Sequence, residues 1–202
     1  MTGRNILRMA AVSIAIAAAI PAATVTAPDD AYQVRYAANF NVADSAINLT
    51  NVGSVDGFDP AGDICANVYV FAQDQQLIAC CSCPLTPNHL KTLSVRSDLI
   101  ANTLTPGVPT AITVALLASK GTTCNAATVT VANLVGGLRA WGTTPHAAPS
   151  GLAMTETRFL AASLSTGEFQ KLTSYCGFTQ IIGSGFGICK SCRTGASGAA
   201  KQ

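Results

Sequence analysis

The residue types best able to do chemistry in this sequence are eight cysteines, Cys65, Cys80, Cys81, Cys83, Cys124, Cys176, Cys189 and Cys192, and two histidines, His89 and His146. Cys80-Cys81-Ser82-Cys83 is the densest group. On an extended strand Cys81 and Cys83 share one face and Cys80 points to the other, so the three cannot serve one site without a bulge. Each is expected to reach a different partner. Cys189-Lys190-Ser191-Cys192 has the CxxC spacing of thiol oxidoreductases, zinc knuckles and haem attachment sites. Haem attachment needs a histidine directly after the second cysteine, and Arg193 stands there. A thioredoxin-like pair follows a strand and opens a helix, whose dipole lowers the thiol pKa. This pair instead comes after the predicted helix, near the chain end. Zinc would need a second pair, such as Cys81 and Cys83, held as thiolates within tetrahedral reach.

The remaining groups offer less. His89 and His146 lie close to Pro87 and Pro145 in predicted loops, and no GxSxG elbow presents a serine to either, so no Ser-His-Asp triad is assigned. Cys83 and His89 form a nucleophilic pair only if Cys83 is reduced. Asp56, Asp59 and Asp63 share one loop at a spacing that suits calcium or paired-carboxylate hydrolysis. It does not match an EF-hand, and a solvated acidic turn is the simpler reading. Glu156 reads as a strand-end charge and Glu168 as a helix-cap partner. No phosphate-cradling glycine loop opens a helix. The sequence therefore assigns no catalytic residue, no cofactor and no metal ligand.

The compartment decides how the cysteines are read. Arg4 and Arg8 precede the apolar run Met9 to Ile20, and Pro21 and small residues follow, which is the order of a secretory signal peptide. The run is well short of the roughly 20 residues needed to span a bilayer. Residues 1–27 are expected to be the leader, with Val25-Thr26-Ala27 the best cleavage text despite Pro28 beyond it. Residues 28–193 are expected to form one β-rich domain and 194–202 a flexible tail. An even number of cysteines in an exported chain implies disulfides, so all eight are expected to be bonded, with the connectivity open. Without Arg4 and Arg8 the chain carries ten basic and ten acidic side chains, and no basic stripe marks a nucleic-acid partner. At 49% apolar and 11% charged residues, the composition suits a packed core.

The elements that must position these sulfurs read as strands. Tyr32 to Val52 alternates and ends in a turn at Asn51 to Ser54. Ile64 to Phe71 alternates cleanly, with Ile64, Ala66, Val68 and Val70 on one face and Cys65, Asn67, Tyr69 and Phe71 on the other. Gln73 to Gln76 links it to Leu77–Cys83, giving a hairpin in which Cys65 is expected to bridge to Cys81 or Cys83. Tyr69 and Phe71 come nearest to a sugar-stacking platform, though cover by the helix is the expected arrangement. Leu90 to Ile100, Thr110 to Ala118, Ala126 to Leu134 and Thr155 to Leu160 are further strand candidates. Gly136 to Gly151, with Trp141 and His146, reads as a loop. Ser165-Thr166-Gly167-Glu168 has capping-box spacing, and Phe169, Leu172 and Cys176 then fall on one helical face, with the end expected at Gly177 or within a turn of it. The fold class is mainly β: an antiparallel sandwich with one C-terminal helix, stapled by disulfides.

INLTNVGS, ICANVYVF, CCSCPLTPN, LSVRSDLIANTLTP, GLRAWGTT and GSGFGICKSC together resemble a group of uncharacterised secreted cysteine-rich bacterial proteins with no assigned activity. The resemblance covers most of the expected mature chain. It implies export and a cysteine-stapled domain, and nothing about chemistry. The expected function is a secreted or cell-surface structural or adhesive protein without catalytic activity, including an assembly or filament subunit. The expected location is extracellular, cell-surface or periplasmic. The alternative is a secreted enzyme or thiol-redox protein using Cys189 and Cys192. Expected partners are the protein itself or other surface proteins, with no membrane span after leader removal. One route to assembly has the segment from Pro28 to Asn51 pairing with a neighbouring subunit as a mobile strand.

Overall fold

The computed structural model of the protein describes residues 23–192. The apolar run Met9 to Ile20 and the expected tail 194–202 lie outside the described residues. Residues 23–27, the end of the expected leader, are described and belong to the fold. Val25 N donates to Leu164 O at 2.8 Å, and Thr166 N donates to Ala23 O at 3.0 Å.

The described chain folds as an antiparallel β-sandwich with a helix on one outer face. One sheet has the order β4 (Leu77–Leu85), β3 (Ile64–Phe71), β6 (Ala111–Lys120), β1 (Tyr32–Ala38), β9 (Leu160–Ala161). The other has the order β5 (Leu90–Ser94), β2 (Ala46–Asn51), β7 (Leu138–Ala148), β8 (Gly151–Arg158). The helix α1 spans Thr166–Ile182. Between the sheets, Ile47 and Leu49 of β2 and Leu138 of β7 pack with Ile64, Val68, Ile112 and Leu116 of the first sheet. A second core lies on the far face of that sheet, where Tyr69, Leu117, Leu134, Leu172 and Cys176 join sheet, loop and helix. The five-stranded sheet is thus covered on both sides. All eight residues of β3 are buried in consequence, the two faces read from its alternation each meeting a core. Asn67 is tolerated there because its amide donates to Leu117 O at 2.8 Å and its carbonyl accepts from Ser82 Oγ at 2.7 Å.

Several expected elements are placed differently. Tyr32 to Val52 is two strands in different sheets, separated at Asn39, whose positive φ of 65° turns the chain. Residues 46–51 are locked in the interior of their sheet, with β5 on one side and β7 on the other, which rules out the mobile-strand route for that segment. Leu90 to Ile100 is strand only as far as Ser94 and then a π-helical turn, Val95–Leu99. Ala126 to Leu134 is not a strand. Asn125 Oδ1 accepts from Ala127 N at 2.9 Å, which turns the chain, and a 3-10 turn follows at Val131–Asn133. The expected loop from Gly136 to Gly151 contains β7, eleven residues long. Its Pro145 is permitted because β2 pairs with β7 only as far as Gly142, leaving the proline a neighbour on one side alone. The helix runs through Gly177 and stops at Gly183, whose φ of 63° is the left-handed conformation that closes a helix.

Candidate functional site

The eight sequence-selected cysteines form four disulfides: Cys65–Cys124, Cys80–Cys176, Cys81–Cys189 and Cys83–Cys192, with Cα separations of 5.4, 5.8, 5.4 and 4.7 Å. Cys65 does not bridge to the neighbouring strand as expected. In the register of β3 with β4, Cys83 lies opposite Ala66 and Cys81 opposite Val68, so these two share the face of Ala66 and Val68 while Cys65 points the other way. The adjacent Cys80 and Cys81 work in opposite directions. Cys80 ties β4 to α1 on the helix side, and Cys81 and Cys83 tie it to the C-terminal segment between the sheets. That segment and the loop after the π-helical turn together cover the open side of β4. Cys80 N donates to Gly187 O at 2.9 Å and Leu104 N to Ile78 O at 2.9 Å. The CxxC sulfurs are therefore bonded not to each other but to a matching CxC pair, and both cysteines are buried.

The other candidates do not converge. Asp56 pairs with Lys120 Nζ at 3.1 Å on the surface. Partial burial, with the Asp59 charge beside it, raises the Asp63 carboxyl above the usual carboxylate range. Among the described residues, no group of three or more His, Cys, Asp or Glu is arranged to hold a metal ion. His89 follows the turn between β4 and β5, and His146 Nε2 lies 2.9 Å from Thr155 Oγ1 within the β7–β8 pair.

Two arrangements escaped the sequence reading. The first is Arg35, a cation only 5% exposed between the sheets. Its Nε donates to Thr157 Oγ1 at 3.0 Å and its Nη2 to Thr144 Oγ1 at 2.8 Å, while its buried Nη1 has no partner among the described residues. Burial lowers its pKa. Room for the guanidinium comes from Gly142, where a Cβ would lie 3.0 Å from Nη1.

The second is a groove of about 410 Å³ beside the N-terminal half of α1, within the volume range of small-ligand sites. Tyr32 and Tyr36 of β1, Phe71 of β3 and Gln73 and Gln75 of the β3–β4 turn line it, and Glu168 and Lys171 of the helix close one side. Lys171 Nζ stands 3.8 Å from Glu168 Oε2 and 5.0 Å from the centroid of the Phe71 ring. Burial, and secondarily the Glu168 charge, push the Tyr32 phenol up to about 12.

What these observations define is a class, a disulfide-bridged antiparallel β-sandwich carrying one helix. No family model matches the chain, and no match is found among curated proteins or solved structures. Four disulfides fit a protein that matures outside the cytoplasm. Among the described residues, no helix is long and apolar enough to cross a membrane.

Proposed function

We propose that the protein is an exported structural or adhesive β-sandwich, secreted or held at the cell surface, that acts by binding and assembly rather than by catalysis. Its partners are other copies of itself or other surface proteins. The observation that carries this reading is the use of all eight cysteines in covalent ties between layers, including the CxxC pair. Such ties raise stability chiefly by restricting the unfolded chain, and they suit a domain that must last without chaperones. The leader-like N-terminus, Arg4 to Ala27, supports export.

Thiol titration of the native protein, with and without denaturant, together with fractionation of the producing cells, tests the reading. Fewer than one free thiol per chain and recovery from the medium or the cell surface are expected. A reactive thiol pair at Cys189 and Cys192 that turns over a disulfide substrate would replace it with a redox function. Electron microscopy of the purified protein tests the assembly role, for which filaments or ordered arrays are expected.

A further inference from the structure

We propose that the groove between α1 and the face of β1 binds a neutral saccharide. The proposal deepens the adhesive reading, on which it rests, by naming the class of ligand. The first argument is electrical. Glu168 and Lys171 face each other across 3.8 Å at the groove wall, so it presents one charge of each sign and favours neither an anion nor a cation.

The second argument comes from unmet hydrogen bonding. Tyr32, only 8% exposed, lines the groove, and its hydroxyl has no hydrogen-bond partner among the described residues. The exposed side-chain amides of Gln73 and Gln75 are likewise without protein partners among them. A purely apolar ligand would leave these groups unpaired, at a cost in affinity, whereas a ligand with several hydroxyls can donate to and accept from each.

The third argument is shape and surface. Tyr36 lines the groove at 65% exposure, while Phe71 is buried beneath Lys171. A pyranose has a face of C–H bonds and a rim of hydroxyls. The C–H face matches an aromatic ring and the rim matches amides and phenols, which is the combination this groove supplies.

The test uses purified, disulfide-intact protein and saturation-transfer NMR against glucose, galactose, mannose, N-acetylglucosamine and cellobiose, with calorimetric titration of those that respond. At least one sugar is expected to show transfer. Tyr36→Ala is expected to weaken its affinity about tenfold or more, since an aromatic anchor carries a large share of binding. Tyr32→Phe, which keeps the ring and deletes only the hydroxyl, is expected to weaken it several-fold with an unchanged melting temperature. Met154→Ala on the distant strand β8 is expected to leave it unaltered. Absence of transfer from all five sugars, or affinity undiminished in Tyr36→Ala, would overturn the proposal. Retention of protein-coated beads on cells separates the two readings. Beads that hold equally well with Tyr36→Ala protein would retire the groove and leave adhesion. Sugar binding without bead retention would retire adhesion and leave the groove.

Discussion

Arg35 carries its positive charge into the space between the sheets, and the groups that receive it there are hydroxyls rather than carboxylates. A buried cation with no counter-ion among the described residues is expensive, and the hydrogen bonds it donates to Thr144 and Thr157 offset only part of the cost. Arg35→Met keeps the length of the side chain and removes the charge. Its unfolding free energy is expected to stay within about 1 kcal/mol of the parent or to exceed it. Arg35→Ala, which leaves a void, is expected to lose about 2–4 kcal/mol, and urea unfolding measures both. Tyr32 gives a prediction in pH. Its phenol ionises at about 12 in the fold against a reference of 10.0, so the proton leaves the unfolded chain first. The stability it contributes is complete below the unfolded value and is lost as pH rises through the folded one. Burial shifts Tyr69 in the same direction. Urea midpoints on either side of this alkaline window are expected to fall with rising pH, and the fall is expected to be shallower in Tyr32→Phe.

At the scale of elements, the N-terminus of α1 is where sequence and structure agree most closely. Ser165 Oγ accepts from Glu168 N at 3.0 Å, the serine half of the expected capping box, while the Glu168 carboxylate lies 3.8 Å from Lys171 Nζ. Ser165→Ala is expected to cost about 1 kcal/mol in urea unfolding. The far end was misleading because Gly177 interrupts the pattern and because apolar residues lie all around the helix. Leu172 and Cys176 are buried, while Tyr175, Phe178 and Ile181 are exposed. A Cβ added at Gly177 would meet Ala127 Cβ at an ordinary 3.7 Å, so Gly177→Ala is expected to stabilise by about 0.5–1 kcal/mol, read from the same unfolding curves. The clean alternation of Ile64 to Phe71 gave β3 and both of its covered faces. β7 was hidden because Gly142 and Pro145 depress strand propensity, and each is admitted for a reason only tertiary structure supplies: space for Arg35, and a missing neighbour. The cysteines were legible as disulfides. The groove was not, because Tyr36, Gln73 and Lys171 come from three distant segments that only the fold brings together.

At the scale of the whole molecule, the sulfur pairs on β4 hold together parts of the chain that are far apart in sequence. Cys81–Cys189 and Cys83–Cys192 span 108 and 109 residues, yet they lie side by side. Once either one has formed, the other closes a ring of only a few residues, so their effects on the unfolded chain cannot be additive. Because Cys80–Cys176 already joins β4 to α1, the first of the two closes a ring of roughly 15 residues, for which chain-entropy reasoning gives about 3 kcal/mol, and the second closes a ring of a few residues, for which it gives about 2 kcal/mol. Removing either bridge alone, as Cys81→Ala with Cys189→Ala or as Cys83→Ala with Cys192→Ala, is therefore expected to cost about 2 kcal/mol through the unfolded state. Removing both is expected to cost about 5 kcal/mol, about 1 kcal/mol beyond the sum of the two separate losses. A double-mutant cycle in urea measures the difference, with packing losses in the core largely cancelling between its arms. A coupling near zero would mean that the bridges act through local packing in the folded core. A coupling of about 1 kcal/mol would mean that one ring, closed on its other side by Cys80–Cys176, is being held, with the second bridge keeping it shut when the first is broken.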